Sequence, residues 1–271
     1  MVRRHARAVF CAALGLAVAG RLAAQDSTQF TDAAAADLFR YSRMAISNGR
    51  GNVAAIHALI LKGRSKFQVE GGLTAAAVEI RMIIPDYYLR IDTSGTLEKR
   101  AGYAGKTVIS AIRDAGSITY PPDRLVSTIL LNERQRVARF LLGALTYVSG
   151  DLAMTFSSVP RSVELIDPRV NTRRSLAVDN STAEPYTALV SGPRFSARFI
   201  VDGTNRTPSQ VVYVGGDKKP VTIRFEDRRT VEGFLLPFRI TTMSENRTVD
   251  ELVFDEILVN PELSKNDFKR P

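Results

Sequence analysis

Few residues of this 271-residue chain are suited to covalent or metal chemistry: one cysteine, Cys11, and two histidines, His5 and His57. A Ser-His-Asp triad would need one of those imidazoles as its base, and a zinc site would lack its usual His and Cys ligands. Cys11 and His5 both lie in the first 24 residues. There Arg3, Arg4, His5 and Arg7 precede an apolar run from Ala8 to Ala19, and Ala23-Ala24 leads to Gln25-Asp26. This is the layout of a secretory signal peptide, with a run too short for an ordinary membrane span; an uncleaved anchor is the competing reading. Cleavage is expected after Ala24, with Ala17-Val18-Ala19 as a second small-x-small site. Cys11 is a poor lipid-attachment site, inside the apolar run and directly after bulky Phe10. Either cut removes it, leaving no thiol and only His57, which is expected to be structural at a helix-to-strand junction.

Carboxylates are the remaining candidates for acid/base work. Asp250-Glu251 and Asp255-Glu256 are adjacent pairs, but neighbours on a strand point to opposite faces, so neither pair suits glycosidic or hydrolytic catalysis. Asp255-Glu256 reads instead as a β-bulge. Loss of Arg3, Arg4, Arg7 and Arg21 would leave 33 basic against 28 acidic residues, a net of +5, which by itself is no signature of nucleic-acid binding. Asn180, Asn205 and Asn246 stand in sequons that carry no meaning in a bacterial exporter. No metal or cofactor is called for.

The elements that position these residues are mostly strands. From Pro220 to Pro271 the pattern predicts three consecutive antiparallel strands: Val221, Ile223 and Phe225 alternate with polar residues, then Leu236, Phe238 and Ile240, then Leu252 and Phe254 after the turn-rich Ser244 to Arg247. Upstream, strands are expected from Ala58 to Asp92 with turns at Gly71-Gly72 and Pro85-Asp86, over Thr96–Tyr103 and Lys106–Ile112, and over Tyr186–Ser191, Arg194–Val201 and Gln210–Val214. Between 151 and 185 connecting segments are expected, with one strand near Ser162–Ile166. One helix should start from a cap at Ser27 or Thr28 and end at Ser47-Asn48-Gly49, and a short helical turn should cover Asn52–His57. A long amphipathic helix should run from Pro121-Pro122 to Ser149, with a kink or break at its polar centre, Asn132–Arg136. This order implies an α+β fold in which a curved antiparallel sheet forms a partly open barrel with the long helix on its concave face.

Several segments resemble one family. Phe199-Ile200-Val201-Asp202 followed by Pro208 and Val211-Val212-Tyr213 is similar to the strand-turn-strand of periplasmic lipoprotein carriers and outer-membrane lipoprotein-sorting proteins of the LolA-like superfamily. Phe225-Glu226-Asp227-Arg228-Arg229 with Val231 to Ile240 resembles their acidic-x-Arg and Gly-x-x-x-Pro-x-x-Ile hairpin. Pro85 to Arg90 resembles their Pro-x-x-Tyr-x-Arg strand start, and Val259-Asn260 with Phe268 and Pro271 resembles their ending. The chain departs from them in having no Trp near Gly102-Tyr103 and in a long 151–185 segment. The resemblance covers roughly 50–95 and 140–271 and implies a partly open barrel capped by helices. Its apolar cavity would shield acyl chains across an aqueous compartment, with no catalytic residues.

On that basis residues 25–271 are expected to form one exported, periplasmic domain that carries a lipid or lipoprotein acyl chains without catalysis. Envelope membrane proteins would be its donor and acceptor, and it would not itself be integral to the membrane after cleavage. The expected apolar lining is Leu130, Val137 and Leu141 from the long helix and Phe225, Leu236, Phe238, Ile240 and Phe254 from the sheet. The same residues would equally serve as a closed core. Arg228-Arg229 reads as a solvated turn. An envelope sensor that recognises a lipid or protein without transporting it is the alternative function.

Overall fold

Alternating patterns and helical stripes fold as follows in a computed structural model, which describes residues 29–49, 52–69, 72–148, 152, 154–159, 163–167, 172–176 and 186–270. In chain order the elements are β1 (Gln29–Phe30), α1 (Ala33–Ile46), β2 (Ala58–Val69), β3 (Gly72–Ile83), β4 (Tyr87–Ser94), β5 (Leu97–Ala104), β6 (Thr107–Val108), β7 (Ala111–Asp114), β8 (Ser117–Thr119) and α2 (Val126–Leu145). There follow β9 (Thr155–Ser158), β10 (Val163–Asp167), β11 (Thr172–Leu176), β12 (Tyr186–Gly192), β13 (Phe195–Val201), β14 (Pro208–Val214), β15 (Pro220–Val231), β16 (Phe234–Ser244) and β17 (Arg247–Val259). One large sheet has the order β1-β9-β12-β13-β14-β15-β16-β17-β2-β3-β4-β5-β7-β8, with β6 paired to β5; its two ends do not join. All its pairs are antiparallel except β1 with β9. The architecture is the expected α+β one, a partly open barrel with the long helix against its concave face.

One ion pair measures how tightly the sheet curls. Three strand spacings of about 4.8 Å would hold β4 and β17 roughly 14 Å apart in a flat sheet. Yet Arg90 on β4 donates from Nη1 and Nη2 to the two carboxylate oxygens of Asp250 on β17, at 2.8 and 3.0 Å. Ser65 on β2 likewise reaches Asp92 on β4 at 2.6 Å. The strand between them, β3, presents Ala76 beside Ser65, and its short side chain leaves room for the contact.

The concave face holds the main core, with Leu59, Leu61, Val78, Ile80, Met82, Tyr88 and Tyr103 from one wall and Phe195, Ala197, Phe199 and Val211 from the other. The opposite face of β4 is covered separately, where Leu89 packs with Ile109 and with Phe268 of the C-terminal tail.

Several expectations need correction. Asp32, and not Ser27 or Thr28, caps α1: its Oδ1 accepts from the Ala35 N–H at 2.8 Å. Ser27 and Thr28 lie outside the described residues. Asp32 Oδ2 also accepts from the Ser158 N–H, tying α1 to β9, and these donors hold the carboxyl down at about 2. Three strands, β9 to β11, appear where one was expected; β10 and β11 pair as a separate hairpin. Helix α2 runs unbroken through its polar centre and ends at Leu145, where Thr146 takes a left-handed conformation (φ 48°). The three closing strands form the expected meander, and the register of β17 shifts between Phe254 and Glu256, where the bulge was expected.

Candidate functional site

Helix α2 is helical through its middle, and three long cations there, Arg134, Arg136 and Arg139, meet aromatic rings on both walls of the sheet. Arg134 lies over Tyr103 at 5.6 Å and Arg136 over Tyr88 at 5.2 Å, both on the β4–β5 wall. Arg139 lies over Tyr213 at 3.8 Å and Phe195 at 5.5 Å on the β13–β14 wall. Such contacts let a guanidinium bury its flat face while its edge keeps hydrogen bonds. Arg134 donates to the Gly105 carbonyl, and Arg136 pairs with Glu133. The helix is thereby braced between two walls that lie about a hundred residues apart in sequence.

Beyond this brace the helix is sealed. Val137 and Leu141 are buried with Phe225, Leu236, Phe238, Ile240 and Phe254 in one cluster, so seven of the eight expected lining residues come together. Leu130 is half-buried and packs at the margin of that cluster. In this state the seven pack on one another: the ring of Phe225 sits where a Cβ on Gly143 would lie, which accounts for glycine there. Leu130 belongs to the part of α2 that stands out of the core, together with Val126, Ile129 and Leu131, all half-buried, and Leu125 just before it, which is exposed.

Arg228 is not on a solvated turn. Asp227 adopts φ 51° opposite Phe238, an irregularity in the β15–β16 pairing that the alternation did not reveal. Arg229 turns outward to Asp227, whereas Arg228 turns inward and donates to the carbonyls of Gly143, Pro208 and Leu235. Burial pulls its pKa down to about 10.

A second polar group lies among apolar neighbours. Arg90 and Asp92 are buried, and Arg90 binds both Asp92 and Asp250 through four hydrogen bonds. Burial opposes the charge on Arg90, but its hydrogen bonds and ion pairs with Asp250 and Asp92 outweigh it and raise its pKa. Asp250 faces this inner network while Glu251 faces Lys66 and Arg239, as expected for neighbours on a strand. The arrangement is an ion-pair network with every carboxylate engaged, and it has no candidate base or nucleophile beside a free face. His57 is exposed at the start of β2, where its backbone N–H donates to Asn260.

An open cleft of about 380 Å³ lies at the other margin of the sheet. Ala34, Asp37, Leu38 and Tyr41 of α1 form one side, and Tyr186, Val201 and Arg206 form the other. The spacing of the α1 residues is a single helical stripe. Leu38 and Val201 at its floor belong to the main core, so the cleft is a depression in the same apolar interior. Arg206 stacks on Tyr186 at 3.8 Å, and Asp37 is paired with Arg40. No local sequence pattern marks this cleft, because its sides come from segments about 150 residues apart; the surplus apolar width of α1, with Tyr41 and Met44 beyond the buried stripe, is the available signal. A second depression of about 250 Å³, lined by Arg64, Lys66, Arg239 and Glu251 among others, is charged. Among the described residues no three His, Cys, Asp or Glu side chains come together as a metal site would require, and no helix is long and apolar enough to cross a membrane.

No protein-family model matches the chain, and no curated protein does. Solved structures do. A protein of the DUF1329 family from Desulfovibrio piger superposes with a TM-score of 0.52 at 7% identity, over 87% of this chain and 97% of its own. A LolA superfamily protein from Nitrosomonas europaea superposes with a TM-score of 0.50 at 10% identity, again over 87% and 97%. An outer-membrane lipoprotein-sorting protein domain from Vibrio parahaemolyticus gives 0.49 at 8% identity, over 86% and 97%. The incomplete barrel with its braced helix is therefore a LolA-like fold.

Proposed function

We propose that this chain is an exported, non-enzymatic carrier that shields a lipid, or the acyl chains of a lipoprotein, in the apolar interior of its incomplete barrel. The observation that carries this reading is that the interior is covered by helices instead of by sheet, and that the cleft beside α1 has that same interior as its floor. A helix held by side-chain packing can be displaced without breaking a strand ladder, whereas a closed barrel cannot be opened so. Its volume falls within the range of small-molecule sites.

Burial of a methylene stabilises by about 0.8 kcal/mol, so eight methylenes in such a site would contribute roughly 6 kcal/mol before the cost of association. That suffices for a reversible carrier with no specific polar recognition. The residues that would line the loaded interior are Val137 and Leu141 on α2 and Phe225, Leu236, Phe238, Ile240 and Phe254 on the sheet, with Leu130 at the margin that opens first. The LolA-like fold and the signal-like N-terminus support a periplasmic place of work and envelope membrane proteins as donor and acceptor.

The test is native mass spectrometry of the protein recovered from an exporting host, followed by extraction of any adduct and its transfer to acceptor vesicles. A lipid adduct that moves to the vesicles is the expected result. A bare mass under repeated gentle conditions, with no uptake of added acyl ligand, would overturn the reading.

A further inference from the structure

The structure assigns a membrane-docking surface to the margin formed by the β7–β8 hairpin and the opening turn of α2, with an anionic phospholipid surface as its partner. This goes beyond the carrier reading and stands without it. Eight large apolar side chains of the described residues are exposed, and four of them fall between residues 112 and 125: Ile112 (45%), Ile118 (39%), Tyr120 (45%) and Leu125 (43%). The pairing Ile112↔Thr119 and Arg113↔Ile118 puts Ile112 and Ile118 on opposite faces of the hairpin. Packing one face of the hairpin on the body could therefore not cover both. Strand β8 is also the last strand of the sheet, so the hairpin forms its free lip.

The apolar tips alternate with cations in the manner of an interfacial surface. Arg113 shares a hairpin face with Ile118, Arg270 lies over the Tyr120 ring at 6.0 Å, and exposed Arg124 precedes Leu125. Counted over 96–125 and 265–270, this corner holds eight Lys and Arg against four Asp and Glu. Three of the four acids are already engaged: Glu98 with Arg100 and Arg113, Asp114 by the Thr96 hydroxyl, and Asp267 in the cap at Ser264. The corner thus carries most of the net positive charge expected of the mature chain. Apolar tips that enter the acyl boundary, a tyrosine at headgroup depth and surrounding guanidiniums are what an anionic bilayer surface binds. The exposed margin at α1, with Phe30, Tyr41, Met44 and Tyr186, is apolar too but has less surplus charge.

The experiment is flotation of the protein, as recovered from an exporting host, with vesicles of phosphatidylethanolamine and phosphatidylglycerol, and separately with phosphatidylcholine alone. Binding to the anionic vesicles, weakened by added salt and at least about tenfold poorer on the neutral ones, is expected. Ile118→Glu with Leu125→Glu should reduce binding by about tenfold or more, and Arg113→Gln with Arg124→Gln by about fivefold for each charge removed. Met44→Glu at the other margin should leave it unchanged. Circular dichroism and a thermal melt of each variant separate loss of docking from loss of fold. Absence of anionic-vesicle binding overturns the assignment, even if a protein partner is captured instead, as does binding that survives the paired glutamates in a folded variant. Lipid adducts in the mass spectrum report on the carrier reading alone, so the two proposals can fail separately.

Discussion

The two halves of α2 are drawn from the same residue types and meet opposite surroundings. From Val137 to Leu145 almost every side chain is buried, including Phe140, Leu142 and Ala144. From Val126 to Asn132 none is, although Val126, Ile129, Leu130 and Leu131 are just as apolar. What divides them is the arginine brace between Arg134 and Arg139. The difference shows that apolar content alone does not seal a helix; the C-terminal half is sealed because Gly143 lets Phe225 approach and Arg228 reaches the Gly143 carbonyl. The N-terminal half has no such fit, so under the proposed carrier function it would be the part of the cover that opens at least cost.

The comparison can be broken at several strengths. Phe225→Ala, which empties the seat against Gly143, should destabilise the fold by about 3–5 kcal/mol in urea unfolding. Arg90→Leu should cost a similar amount, about 3–5 kcal/mol, because Asp92 and Asp250 would be left without their shared cation across the curled sheet. Gly143→Ala should cost less, about 1–3 kcal/mol, since the Phe225 ring must move from a packed site. Leu130→Ala should cost under about 1 kcal/mol, as expected for a half-buried side chain. If Leu130→Ala were as damaging as Phe225→Ala, the two halves would not differ and the N-terminal half could not serve as the movable cover.

The smallest effect concerns the cap of α1. The Asp32 carboxyl is held down at about 2 by the Ser158 and Ala35 N–H donors, below its usual 3.8. A depressed acid contributes stability above its unfolded value and loses it as the pH falls through the folded one. The protection of α1 amides against exchange, taken relative to the intrinsic rate at each pH, should therefore fall between about pH 4 and pH 2. In Asp32→Asn the pH-dependent part of that change should disappear.

Much of the fold is legible in the sequence because strands with one buried face announce themselves. Val221, Ile223 and Phe225 alternate as their burial does, and Asp255-Glu256 marks a real bulge. The irregularity at Asp227 is not legible, since half-buried Arg228 donates to carbonyls of segments about 20 and 85 residues away in the chain. The polar centre of α2 suggested a break for the same reason: Tyr88, Tyr103, Phe195 and Tyr213, which receive its arginines, are distant in sequence. Seven of the eight residues expected to line an interior pack together in the core cluster, while the cleft at Tyr41 and Tyr186 needs the fold to be seen at all.

The chain has no tryptophan, so a single introduced one reports without background. The most direct test of an interior that admits acyl chains under the movable half of α2 is fluorescence of Leu130→Trp, titrated with a bromo-acyl ligand below its micellar concentration. Saturable quenching is expected, with His57→Trp on the exposed start of β2 unaffected. An unquenched Leu130→Trp in a folded protein, at ligand concentrations that reach saturation for known acyl carriers, would contradict the account.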